Sequence, residues 1–133
     1  MNPTIYLILS ILFFIFATIF NAGMDSIRHK WNICLFNHIT KRMPFLNKWF
    51  ESNWENAYKE GTSKKKFVYK YLTFISDGWH FLKVAMIYCF IMAVLTFPTS
   101  IICIWHIIFF GFIWFFIFEI FYGWIFTNKC WNK

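Results

Sequence analysis

Long apolar runs and one stretch of mixed character divide the chain. The first run starts at Thr4 and meets no charge before Asp25. A second, over residues 67–97, is interrupted by Lys70, Asp77, His80 and Lys83, and a third, over residues 99–127, carries Glu119 as its only charged residue. None alternates with the period of two that a half-buried strand requires, and each exceeds the ~20 residues that carry an α-helix across a bilayer. The pattern predicts an all-α integral membrane protein forming a single domain over residues 1–133. Its transmembrane helices are expected at 4–30, 67–97 and 99–127, with a connecting loop at 31–66. Pro3 and Thr4 suit a helix start. No Lys or Arg precedes the first run, and a cleavage site near Ala22 would put bulky Phe20 at the minus-three position, so a retained helix is expected rather than a signal peptide.

The connecting loop has its own punctuation. Met43-Pro44 breaks any helix there. Ser52-Asn53-Trp54-Glu55 fits a capping box and Gly61 a terminator. Phe45, Trp49, Phe50, Trp54 and Tyr58 interleave with Asn47, Lys48, Asn56 and Lys59. That mixture predicts a short amphipathic helix in this first loop. It would lie either in the membrane interface, rings at headgroup depth and charges in water, or as a lid over the helix ends. Lys64-Lys65-Lys66 reads as a solvated anchor before the second span.

Composition agrees with this architecture. The chain is 59% apolar and 26% aromatic, with 20 Phe among 133 residues. Soluble domains hold ~45–50% apolar residues, so too few polar side chains remain here to cover a globule. The net charge of +7 would suggest nucleic acid in a soluble chain. Here the basic residues concentrate around the loop, which points to topology and anionic lipid instead, and no nucleic-acid partner is expected. Arg28, Lys30, Lys41, Arg42, Lys48, Lys59, Lys64, Lys65, Lys66 and Lys70 flank or lie in the loop, and Lys129 and Lys133 follow the third span. The positive-inside rule then puts the N-terminus outside, with the loop and C-terminus in the cytoplasm. Cys34, Cys89, Cys103 and Cys130 form no C-x-x-C pair and read as free thiols.

The few polar residues of the spans fall at related depths. Asp25 lies roughly 21 residues from Thr4, Asp77 roughly 21 before Pro98, and Glu119 roughly 20 after Thr99; each is thus ~30 Å from the outer boundary. His29 and His80 stand within about one turn of that plane. Asp25 and His29 are spaced four apart, and Asp77 and His80 three apart, so each pair shares a helical face. Asp25, His29, Asp77, His80 and Glu119 are the candidate ligands of a divalent metal, for which Zn, Fe or Mn suits mixed imidazole and carboxylate donors. The same residues would also serve as metal-free acid–base catalysts. A third reading is a structural network, with Lys83 paired to Glu119 and Asp25 to Arg28 or Lys70. Lys83 otherwise snorkels or holds a lipid phosphate. His106 lies too far from this level to join it.

Three elements together resemble a known group of sequences: Met24-Asp25 with His29, Trp54-Glu55-Asn56-Ala57-Tyr58-Lys59, and Asp77-Gly78-Trp79-His80. They look like small, uncharacterised bacterial membrane proteins with the pattern M-D, then S-W-x-N-K-Y-K, then D-x-W-H. The match runs from about Asn21 to Lys83, departing at Asn53, which separates Ser52 from Trp54, and at Ala57, where the pattern has lysine. The resemblance implies that two helix ends and the loop between them form one unit in a bacterial inner membrane. The abundance of Phe, Ile, Asn and Lys also fits an AT-rich genome, including that of a phage, whose protein would lie in its host's membrane. Two functions follow from the polar residues themselves. One is a metal-dependent enzyme acting on membrane lipid, with Trp54, Asn56, Tyr58, Lys59 and Lys83 meeting the headgroup. The other is a non-enzymatic subunit or interaction partner whose polar cluster only locks the helices. A transport pathway would require a homo-oligomer.

Overall fold

The computed structural model describes residues 3–43, 46, 78–98 and 104–127. Helix α1 spans Pro3–His29 and leads through a 3₁₀ turn, Trp31–Ile33, into a short helix α2, Leu35–Arg42. Helix α3 spans Gly78–Thr96, and α4 spans Ile104–Glu119 before widening into a π-helix over Ile120–Phe126. No strand occurs among the described residues. Three segments, Pro3–His29, Gly78–Thr96 and Trp105–Phe126, are long and apolar enough to cross a membrane. The protein is an all-α, multi-pass membrane protein, as the hydropathy pattern predicts.

Boundaries differ in detail from the sequence expectation. The start of the second span, expected at residue 67, lies outside the described residues, as do the capping box at Ser52 and most of the loop helix foreseen around it. A different short helix, α2, follows the first span closely. Its last turn closes through Met43 N–H donating to Ile39 O at 2.9 Å, and Pro44 then prevents continuation.

α1 and α3 form the principal helix pair, and most of their buried positions carry small side chains. The buried positions of α1 are Ser10, Ala17, Thr18, Ala22, Gly23, Met24, Ser26 and Ile27, and those of α3 are Gly78 and Ala93. In lipid no hydrophobic force draws two helices together, because acyl chains are as apolar as leucine. Association rests on close packing, which small residues permit. The two helices run antiparallel. Near the N-terminal end of α1, Ser10 Oγ donates to Ala93 O at 2.7 Å. Toward its other end Gly23 opposes Leu82, and a Cβ added there would lie 3.2 Å from Leu82 Cδ1. The remaining buried hydroxyls are satisfied within their own helix: Thr18 Oγ1 donates to Phe14 O at 2.9 Å and Ser26 Oγ to Gly23 O at 2.8 Å.

The third span attaches through aromatic rings. Phe14 of α1 meets Phe110 at 4.7 Å and Trp114 at 5.5 Å, both edge-on, and Phe90 of α3 at 5.8 Å. Phe90 reaches Trp114 at 6.5 Å, which closes a ring cluster shared by three helices. Further along, Phe36 of α2 packs on Phe126 at 5.3 Å. These contacts, in rising residue order on both sides, make α4 parallel to α1. No residue of the third span's most apolar window is buried. Its outer face presents Trp105, Ile107, Phe112, Phe115, Phe116 and Trp124, all more than half exposed.

Two outcomes follow for stability in detergent or bilayer. Gly23→Ala is expected to leave stability within about 1 kcal/mol of wild type, because the helix-propensity gain offsets a contact that the Leu82 side-chain tip can relieve. Gly23→Leu, by contrast, would force α1 from α3 and unfold at clearly lower denaturant. Phe14→Ala removes three ring contacts at once and is expected to cost about 2–4 kcal/mol, read by steric trapping or SDS titration.

Candidate functional site

The antiparallel register decides which polar residues share a level. Continuing the Ser10–Ala93 and Gly23–Leu82 correspondences brings Asp25 to the height of His80, at the start of α3. Asp25 and His80 are both half-buried. α1 also packs against the Ile120–Phe126 segment, so the ends of α1 and α4 converge here. Among the described residues, Asp25, His80, Glu119 and Tyr122 are therefore gathered toward one rim. Asp77, immediately before α3, lies outside the described residues, and so do Trp54, Asn56, Tyr58 and Lys59.

Gathering is not ligation. Among the described residues no group of three or more His, Cys, Asp or Glu side chains is placed to hold a metal ion. His29 is exposed at the last turn of α1 and lines an open cavity with Arg28, Lys30, Asn32 and Ile33. Four-residue spacing puts Asp25 and His29 on one face, but the helix end carries the imidazole past the bundle into this basic turn. Glu119 is exposed at the last α-helical position of α4.

Of the ion pairs expected of a structural network, neither Lys83–Glu119 nor Asp25–Arg28 is formed among the described residues, and Lys70, the other expected partner of Asp25, lies outside them. Lys83 places its Nζ 5.1 Å from the centroid of the Trp79 ring rather than beside Glu119. Trp79 lies one turn nearer the loop end of α3. The lysine stem thus runs back toward the rim along its own helix, as a side chain escaping hydrocarbon does, and the ring face stabilises the ammonium there. The Trp79 ring also stands edge-on to His80 at 5.0 Å.

Two features of this rim were not foreseen. The first is the π-helix of Ile120–Phe126, which Thr127 closes by donating its N–H to Tyr122 O at 3.1 Å and its Oγ1 hydroxyl to the same oxygen at 2.6 Å. A stretch rich in aromatic residues gives no hint of a local change in helix pitch. The second is the basic turn after α1. Lys30 N–H donates to Ser26 O and Ile33 N–H to Lys30 O, both at 3.0 Å, while Asn37 Nδ2 donates to Asn32 O at 3.3 Å, tying the turn to α2. The adjacency of Arg28 and Lys30 was visible in sequence; the cavity between them was not.

Cys34 caps α2 with its backbone and is buried against this turn, and burial pushes its thiol above the ordinary range. A raised value leaves little thiolate at neutral pH. Maleimide labelling of Cys34 in the folded protein is therefore expected to run more than about tenfold slower than for an exposed cysteine. It should accelerate as pH rises and become fast on denaturation.

No protein-family model, curated protein or solved structure matches the chain.

Proposed function

We propose that the protein is a small, non-enzymatic subunit or interaction partner of the membrane, oriented with its N-terminus outside and its basic loop in the cytoplasm. The observation that supports this reading is the third span. It is held to α1 by a handful of rings, buries none of its most apolar window, and offers aromatic and aliphatic surface along its length. A helix so weakly engaged by its own chain has its packing capacity left for lipid or another protein, and a second copy of this chain is one such partner. The acids and imidazole at the rim then mark where the bundle meets the headgroups, where a charge costs less than at the bilayer centre.

A second reading keeps the metal. It is favoured by the register that levels Asp25 with His80. In it, Asp25, His29, Asp77, His80 and Glu119 draw on Zn, Fe or Mn, which would supply Lewis-acid or redox chemistry toward a lipid. Trp54, Asn56, Tyr58, Lys59 and Lys83 would contact its headgroup. Elemental analysis of the full chain purified in detergent separates the two. The first reading expects no stoichiometric Zn, Fe or Mn and unchanged folding of a His29→Ala, His80→Ala double variant. One equivalent of metal, lost in that variant, would overturn it in favour of the second.

A further inference from the structure

The basic turn after α1 is a site in its own right. At ~1.5 Å per residue the 27 residues of α1 extend about 40 Å, some 10 Å beyond a ~30 Å hydrocarbon core. Its last turn, with Arg28 and His29, therefore stands at headgroup depth, where the chain reverses through Trp31–Ile33. Around that reversal Arg28, His29, Lys30, Asn32 and Ile33 enclose an open cavity of about 410 Å³, large enough for a phosphate with its ester substituents. Arg28 and Lys30 are both exposed there and make no ion pair among the described residues. The backbone of the turn is fixed by hydrogen bonds to Ser26 O and Lys30 O and by the Asn37 amide on Asn32 O, so the turn keeps its shape without a ligand.

We propose that this cavity binds a phosphate diester, supplied by the headgroup of an anionic lipid. A guanidinium forks two parallel N–H donors onto phosphate oxygens, an ammonium adds a point charge, and the Asn32 side-chain amide is a further donor. Ile33 gives the cavity an apolar side for the glycerol and the first acyl carbons. Half-buried Asp25, one turn earlier, is the one acid of α1. The proposal requires only that α1 spans the membrane; it stands whether or not a metal occupies the rim.

The experiment uses the full chain in nanodiscs of phosphatidylcholine containing a minority of phosphatidylglycerol, followed by gentle extraction and native mass spectrometry of retained lipid. An Arg28→Ala, Lys30→Ala double variant is expected to retain at least about fivefold less phosphatidylglycerol, since two phosphate donors are lost. A Lys41→Ala, Arg42→Ala double variant, which removes the same charge from exposed positions of α2, is expected to change retention less than about twofold. Arg28→Lys should fall between, because it keeps the charge and loses the fork. Folding of every variant is checked by protection of Cys34 from maleimide. Equal losses in the two double variants, with Cys34 still protected, would show a diffuse field instead of a pocket and overturn the proposal. So would retention unaffected by the first. Displacement of the lipid by millimolar inorganic phosphate would support the phosphate chemistry and reassign the occupant to the free ion.

Discussion

The close approach of α1 and α3 is the constraint on which the rest depends. Two helices in lipid gain nothing by hiding apolar surface from water, so their association needs contact that acyl chains cannot match. Ser10 and Gly23 supply it where α1 meets Ala93 and Leu82 of α3. One interhelical hydrogen bond, Ser10 to Ala93 O, adds a contribution that averages about 0.6 kcal/mol in membrane proteins. Its larger effect is on register: with Ser10 on Ala93 at one end and Gly23 on Leu82 at the other, the heights of all polar residues on the two helices are set.

Aromatic residues complete the bundle by a different means. Phe14 sits where α1, α3 and α4 meet, and its edge-on partners Phe110 and Trp114 join a helix that otherwise makes little contact with its own chain. Rings interlock through quadrupole geometry and surface contact and tolerate wider helix separation than glycine and alanine do. The molecule thus combines one tight interface with one loose one. The loose one leaves most of the third span's surface exposed.

At the rim, desolvation sorts the side chains. Lys83 leaves the hydrocarbon by folding back over Trp79, and Arg28, His29 and Lys30 are carried into the headgroup zone by the length of α1. Cations also suit this end of α1, where unpaired carbonyls leave partial negative charge. Asp25 is half-buried near the end of α1, and Glu119 is exposed where α4 widens into its π-helix.

Sequence alone determined the class of fold and the number of spans, because twenty consecutive apolar residues have few alternatives to a membrane helix and charge asymmetry is written directly in the chain. It also brought Asp25 and the start of α3 to one level, since rise per residue is constant and both counts begin at the same membrane face. It could not tell that His29 lines a cavity of the basic turn, that Lys83 lies over the Trp79 ring, or that α4 ends in a π-helix. Those outcomes depend on where each helix stops and how it is rotated about its axis. In a sequence this uniformly apolar no periodicity encodes rotation; only the packing of Ser10, Gly23 and Phe14 against their neighbours decides it.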